Sequence, residues 1–453
     1  MKLPFQPLLI VLASALLCIT VLWHIKHRLP SPPLQTQLKT RYFGDVVVAK
    51  PDKAAAGLSL LFVNSRQFVL QELAKQIAAQ GSAVAIIDSN KAFRELSASC
   101  NHFLDATAIA EPMQQLADWA EIKGYEKSII GGIGDGALLA FLAAQTYPSK
   151  NTDYLSIDFS VHVPNNVNLC PPFEIDQSSR TLKFSPDRAS RNHWRVAWTD
   201  QPPAETGVFV RAQPNADTVI APYDTPLPQV TIDEINNLLG QSHSSAPPMP
   251  IVEVPANKPY STLTLFYSGD GGWRDLDRSV AQEMGKAGFP VVGIDALRYF
   301  WKHKSPEQAA LDLSTTLAYY RNTRGIKSFA LIGYSFGADI LPAIYNRLPS
   351  TDKNAIKQLV LLAPGEQANF EIHVSGWLGK QDGEAPLAPE LARIPADKIL
   401  CVYGQEENTH QGCKNLENTA AKLLELPGGH HFDQDYPKLA QQIMDVYPRH
   451  TWE

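Results

Sequence analysis

The sequence predicts an α/β fold of two tandem lobes with mostly parallel sheets, the first chemically degenerate, preceded by an apolar membrane anchor or signal segment. Three observations carry this. Short apolar strands alternate with amphipathic helices on both sides of a Ser/Pro-rich stretch, the pattern of a parallel sheet with crossover helices. The two halves repeat each other in order. At 453 residues the chain is long enough for two cores. The expected division is an anchor or signal at 1–28, a linker at 29–40, a degenerate lobe at 41–240, a linker at 241–257 and a catalytic lobe at 258–453.

Residues Pro7 to Trp23 (PLLIVLASALLCITVLW) are almost wholly apolar, with Lys2 before them and Lys26 and Arg28 after. A run of about 17 residues is at the short edge of a membrane-spanning helix. No small-x-small cleavage site follows, so an uncleaved anchor is favoured over a cleaved signal. Cys18 follows Leu17, where a lipid-modification site wants a small residue. The segment LPSPPLQTQL (Leu29–Leu38) reads as a linker, because its prolines oppose regular pairing. The stretch from Gln241 to Asn257 reads as an interdomain linker or an entering edge strand.

Composition limits the rest. Apolar residues make up 44% and charged residues 19%, and the net charge is −6. The chain is globular rather than disordered. It has no basic excess to meet a phosphate backbone, so nucleic acid is not an expected partner. Beyond the anchor lie Cys100, Cys170, Cys401 and Cys413, with no CxxC. If the body is exported, Cys401 and Cys413 are the nearest candidates for a bridge; otherwise they are two buried thiols.

The repeat is specific. LLFVNS parallels LTLFYSG, AAQGSAVAIIDS parallels GKAGFPVVGIDA, and TYPSK parallels RLPST. Asp88 matches Asp295, Gly132 matches Gly333 and Pro148 matches Pro349, offsets of 207, 201 and 201. Gly333-Tyr334-Ser335-Phe336-Gly337 then aligns with Gly132-Ile133-Gly134-Asp135-Gly136. Gly134 stands where Ser335 stands, so the first lobe keeps the turn glycines and lacks the hydroxyl. A phosphate cradle at GGIGDG is weak, since no Walker lysine follows.

FALIGYSFGADIL is the strongest local signal. An apolar strand runs into Gly-x-Ser-x-Gly and then into a helix, the nucleophile elbow of α/β-hydrolases. Ser335 needs a base, and the base needs an orienting carboxylate, in the chain order Ser, acid, His. After the strand of KILCVYG come Glu406 and Glu407, with Glu407 preferred. After the last strand come His430 and His431, with His431 slightly preferred because Phe432 follows it. A paired His-His could bind zinc, but no third ligand has suitable spacing; neither metal nor cofactor is expected. The oxyanion hole is expected from the N–H of Phe336 and an N–H of Asp270 or Gly271, in the glycine-rich loop after the first strand of this lobe. Asp270, Trp273 and Tyr334 are the candidate substrate contacts, and Asp339 is an acidic neighbour better read as a buried structural partner. Tyr299, Phe300, Trp301 and Trp377 are candidates for the rim or a lid.

SGDGGW, GYSFGAD, YGQEE with a nearby Cys413, and GGHHFD together resemble the VirJ/AcvB family of bacterial virulence proteins, over about Tyr260 to Tyr447. The anchor and the degenerate half resemble the long, AcvB-type arrangement. The resemblance implies a periplasmic α/β-hydrolase domain that hydrolyses lysyl-phosphatidylglycerol at the inner-membrane surface, tethered by residues 7–23 or released there after cleavage. The aminoacylated phospholipid is then the implied substrate. The short relatives are tied to type IV secretion, which implies secretion-system proteins as partners and a non-catalytic alternative. Carried over, Ser335 is the nucleophile, one of His430 and His431 the base, and one of Glu406 and Glu407 the acid. Asn408 departs from the acidic residue of some relatives.

Overall fold

The computed structural model describes residues 34–98, 106–122, 127–147, 149, 151–165, 167–169, 171–186, 189, 192–240, 247–256, 262–373, 383–407 and 412–447. The apolar run at 7–23, Cys18, Cys100, Cys170, Tyr260, Trp377 and Asn408 lie outside them. Among the described residues no helix is long and apolar enough to cross a membrane.

The first lobe is built on strands β1 (Leu34–Thr40), β2 (Gly44–Lys50), β3 (Gly57–Val63), β4 (Ser82–Asp88), β5 (Ser128–Ile133) and β6 (Thr152–Ile157). A two-residue pair, β7 (Glu174–Ile175) and β8 (Leu182–Lys183), precedes β9 (Trp194–Trp198) and β10 (Ala216–Ile220). The sheet order is β1-β2-β4-β3-β5-β6-β9-β10. All neighbours from β4 to β10 pair in parallel, while β1–β2 and β2–β4 are antiparallel. The expectation of an irregular linker up to residue 40 is corrected here. The prolines at 30, 32 and 33 end just before Leu34, and LQTQLKT is free to pair along β2 as an edge strand.

The second lobe contains β11 (Ile251–Val254), β12 (Thr262–Tyr267), β13 (Val291–Ile294), β14 (Ser328–Tyr334) and β15 (Ile356–Leu362). A short pair, β16 (Gln367–Ala368) and β17 (Ala385–Pro386), precedes β18 (Ile399–Gly404) and β19 (Lys422–Leu426). Its order is β11-β13-β12-β14-β15-β18-β19. Among the described residues of this seven-stranded sheet only β11 is antiparallel to its neighbour. The order matches β2-β4-β3-β5-β6-β9-β10 strand for strand, so the repeat read in the sequence is also a repeat of topology. The stretch read as linker or edge strand supplies the edge strand β11.

The central strands are continuous apolar runs because helices cover both faces. Leu263, Leu265, Phe329, Leu331, Leu359 and Leu361 pack on one face of the second sheet, and Phe266, Ile332, Val360 and Val402 on the other. One buried cluster runs through both lobes. Between them the Trp198 and Trp301 rings meet edge to face at 6.0 Å, Arg298 Nε donates to the Ile220 carbonyl at 3.1 Å, and Arg211 pairs with Glu371. Tyr299, Phe300 and Trp301 are buried in this core, which removes them from the rim.

Candidate active site

Strand β14 runs into a sharp turn at Ser335 and then into the helix Phe336–Arg347. Ser335 has φ 52° and ψ −118°, a left-handed backbone that a non-glycine residue adopts at a cost of roughly 1–3 kcal/mol. The flanking glycines make the turn fit. A Cβ on Gly333 would lie 2.4 Å from the Gly337 carbonyl oxygen, and one on Gly337 would lie 2.5 Å from that of Tyr267. Strand, helix and β12 therefore meet with no room for side chains, and the Ser335 hydroxyl projects from the carboxyl edge of the sheet, where open α/β sheets bind ligands.

The base and acid come from the next loops along that edge. His430 Nε2 lies 2.8 Å from Ser335 Oγ, and its Nδ1 lies 2.5 Å from Glu407 Oε1. Gly404, at the end of β18, makes the approach possible: a Cβ there would be 2.4 Å from the Gly429 carbonyl oxygen, so the two loops touch through bare backbone. The Glu407 hydrogen bond raises the His430 pKa more than burial lowers it. Burial pushes the Glu407 carboxyl up, but the His430 hydrogen bond and charge and the Gly404 N–H outweigh it and leave it below the usual range.

The preference for His431 is therefore corrected. Its Nδ1 lies 2.9 Å from the Tyr334 hydroxyl, away from Ser335. Glu406 is solvent-exposed, with its N–H bonded to the Gly428 carbonyl at 3.0 Å. Tyr334 is buried and braces the histidine loop, bonding the His430 carbonyl at 3.3 Å as well, so it is a support rather than a substrate contact. Trp273 is also corrected. It is buried, its ring occupying the space that a Cβ on Gly293 would need and meeting Phe266 edge to face at 5.7 Å.

The loop Ser268–Arg274 presents the expected donors. Among the described residues the N–H groups of Asp270, Gly271 and Phe336 make no hydrogen bond. Three unspent donors beside a nucleophile are what a developing oxyanion requires. The rest of the loop is pinned from below by two buried carboxylates that sequence reasoning missed. Asp277 accepts the Gly269 N–H, and burial pushes its carboxyl well above the ordinary range. Asp295 caps a short helix by accepting the Arg298 N–H at 3.1 Å and also takes the Trp273 N–H; burial raises it too. An aspartate on the apolar face of the helix Asp275–Lys286 was the available signal for Asp277.

Asp339 is the structural partner expected: its Oδ1 accepts the Gly365 N–H at 2.6 Å. Burial pushes its carboxyl up to about 7, against the pull of Gly365 and of the His430 charge. Asp270 is exposed at the mouth. Cys401 and Cys413 are joined in a disulfide with Cα atoms 5.7 Å apart, closing the segment that holds Glu407. Among the described residues no group of three His, Cys, Asp or Glu side chains is placed to hold a metal ion.

A parallel sheet with a serine elbow at its carboxyl edge and a histidine between that serine and a glutamate has the arrangement of an α/β-hydrolase. Residues 261–450, less than half of the chain, match the family described as "Bacterial virulence protein (VirJ)", and the second lobe is similar to that family over this span. Among solved structures the chain is similar to Est1E from Butyrivibrio proteoclasticus with ferulic acid bound (13% identity, 44% of this chain and 93% of that one, TM-score 0.33). It is also similar to MenH from S. aureus (16%, 43% and 96%, TM-score 0.33) and to naproxen esterase from Bacillus subtilis (14%, 44% and 87%, TM-score 0.30). A comparison with curated proteins returned no match.

Proposed function

We propose that the chain is a serine esterase that cleaves the aminoacyl ester of lysyl-phosphatidylglycerol, working at the outer surface of the inner membrane. The observation that carries the hydrolytic reading is the His430 ring bridging Ser335 at 2.8 Å and Glu407 at 2.5 Å. Ser335 Oγ attacks the acyl carbonyl while its proton passes to His430 Nε2. The oxyanion is taken by the N–H of Phe336 and one of those at Asp270 and Gly271. Collapse expels the glycerol oxygen of phosphatidylglycerol, which takes the proton back from His430. Water then attacks the lysyl-enzyme with His430 as base, releasing lysine and restoring Ser335.

Three further features support the substrate and setting. Exposed Asp270 places a carboxylate at the mouth, which favours an acyl group carrying ammonium charges. The Cys401–Cys413 bridge is of the kind kept outside the cytosol. An anchor at residues 7–23 would confine the enzyme near its lipid and raise the effective concentration of substrate. The test is a lipid panel of lysyl-, alanyl- and unmodified phosphatidylglycerol, incubated with the full chain and its Ser335→Ala variant. Release of lysine by the wild type alone is expected. If every aminoacyl lipid is left untouched, the substrate assignment is lost, and if Ser335→Ala is as active as the wild type, the serine mechanism is lost with it.

A further inference from the structure

We propose that the first lobe is a working part of the active site, with Gln201 acting as a positioning residue that holds the oxyanion loop of the second lobe. The catalytic consequence rests on the hydrolase reading above; the clamp itself rests on contacts.

Within its own lobe the loop is held at nearly every peptide. The Gly269 N–H is taken by Asp277. The Gly269 carbonyl accepts from Ser268 Oγ and from the Gly272 N–H, each at 3.1 Å. The Trp273 N–H goes to Asp295, and the Gly272 carbonyl accepts the Arg274 N–H at 2.9 Å. What remains is the peptide joining Asp270 to Gly271, whose two residues carry the free donors. Among the described residues its carbonyl accepts one hydrogen bond, from Gln201 Nε2 at 2.8 Å, across the lobe boundary. In a trans peptide the Gly271 N–H points opposite to the Asp270 carbonyl, so gripping that carbonyl fixes the direction of the donor.

Neighbouring contacts act on the same segment. Arg274 Nη1 donates to Asp200 at 2.7 Å, and its guanidinium lies 5.0 Å from the centre of the Tyr223 ring. Arg278 pairs with Asp224. Asp200 and Gln201 follow β9, and Tyr223 and Asp224 follow β10. In the shared strand order β9 and β10 are the counterparts of β18 and β19, whose following loops carry Glu407 and His430. The edge loops that supply acid and base in one lobe grip the oxyanion loop and its helix in the other. Such solvent-open contacts add little to folding stability. Their effect is directional, and small displacements of a catalytic donor cost rate.

The test uses the full chain, p-nitrophenyl butyrate as substrate, and Gln201→Ala and Gln201→Glu. The second keeps the shape of the side chain and turns the donor into an acceptor facing a carbonyl. Both variants are expected to lose about tenfold in kcat with KM held within about twofold and the melting temperature unchanged. Amide hydrogen exchange in residues 269–273 is expected to quicken. Wild-type kcat in both variants, or unchanged exchange in that loop, overturns the proposal. A wild type inert to this ester and to a fluorophosphonate would instead overturn the hydrolase reading, and the exchange measurement would still decide the clamp.

Discussion

The two elbows of this chain share one backbone. Gly134 has φ 57° and ψ −120°, and Ser335 has φ 52° and ψ −118°. The Gly134 N–H bonds the Ile157 carbonyl at 2.9 Å, and the Ser335 N–H bonds that of Leu362 at the same distance. A Cβ on Gly132 would strike the Gly136 carbonyl oxygen, as one on Gly333 would strike that of Gly337. The turn therefore belongs to the close packing of strand, helix and neighbouring strand, not to the hydroxyl mounted on it. At Gly134 this backbone is nearly free of strain; at Ser335 it carries a cost and projects a hydroxyl. The pocket above Gly134 survives, with Gln67, Asp135, Asp158, Ser160 and His162 among its walls; Ser160 Oγ lies 3.4 Å from His162 Nδ1, whose Nε2 lies 3.6 Å from Glu205, but this serine sits in the loop after β6 and not on the elbow.

Exchanging the residues at the two elbows tests this directly and has the largest expected effect. Ser335→Ala should lower kcat by about 10³-fold or more. Gly134→Ser, made in that background, should restore nothing, and should lower the stability of the first lobe by roughly 1 kcal/mol through its positive φ. Ester turnover and thermal unfolding of the two variants check both statements. Hydrolysis by Gly134→Ser in the Ser335→Ala background would show that the first lobe still holds a base.

The base and acid come next. His430→Ala should cost nearly as much as Ser335→Ala, because members of one unit are not additive. His431→Ala, which removes the brace to Tyr334 and an edge-to-face contact with the His430 ring, should stay within about tenfold. Glu407→Gln should lower kcat/KM by about 10²–10⁴-fold and also shift its pH dependence. The reactive imidazole is neutral, and Glu407 raises the His430 pKa above its usual 6.5. The acid limb of the wild-type profile should therefore lie above pH 6.5, and removing the carboxylate should move it to lower pH. An unmoved limb in Glu407→Gln would mean that this carboxylate does not set the pKa of the base.

These residues also mark where the sequence stopped informing. Glycine spacing and apolar runs were enough for the elbow and the repeat, because both follow from close packing of strand and helix, while the order of serine, acid and histidine came from the chain order that goes with such an elbow. Glu407, the acid preferred for its place three residues after Gly404, is the one whose carboxylate meets His430, whereas the choice within His430/His431 depends on which way adjacent side chains point out of a turn. That is set by Gly428 at φ 85° and by Phe432 to Gln434, all at positive φ, which no pattern in the sequence encodes. Trp273 was misread for a related reason: beside three glycines a tryptophan resembles a binding wall, but its ring fills the gap left by Gly293 on a strand distant in sequence. Gln201 gave no signal, since its partner is a backbone carbonyl 69 residues away in the other lobe.

The acid loop differs between the lobes in its bracing. The Cys401–Cys413 bridge closes a 12-residue separation around Glu407, whereas the loop after β9 has none and is held by its contacts to the other lobe. Cys413→Ser should destabilise the second lobe by about 2–3 kcal/mol and lower kcat severalfold as Glu407 loosens. Chemical denaturation and ester kinetics with and without reductant check this. A wild type indifferent to reduction would leave the bridge without a role at the acid loop.

Asp339 is the last difference between the paired elbows and the one with the smallest expected effect on rate. At the offset of the elbow glycines its counterpart is Leu138, a buried side chain in the first lobe. Burial pushes the Asp339 carboxyl up to about 7 from 3.8. A carboxyl whose folded pKa is raised binds its proton more tightly in the folded state, so its contribution to stability is lost as pH rises from about 4 to about 7. Asp339→Asn keeps an acceptor for the Gly365 N–H and removes the ionisation. It should match the wild type near pH 4 and exceed it at pH 8, by at most about 4 kcal/mol for a shift of this size, and by less because the side chain is partly open to solvent. The difference between the two unfolding free energies, followed from pH 4 to pH 8, should grow with pH. A flat difference would mean that the carboxyl is already ionised at no cost in the folded state, and that the contrast with Leu138 is one of polarity alone.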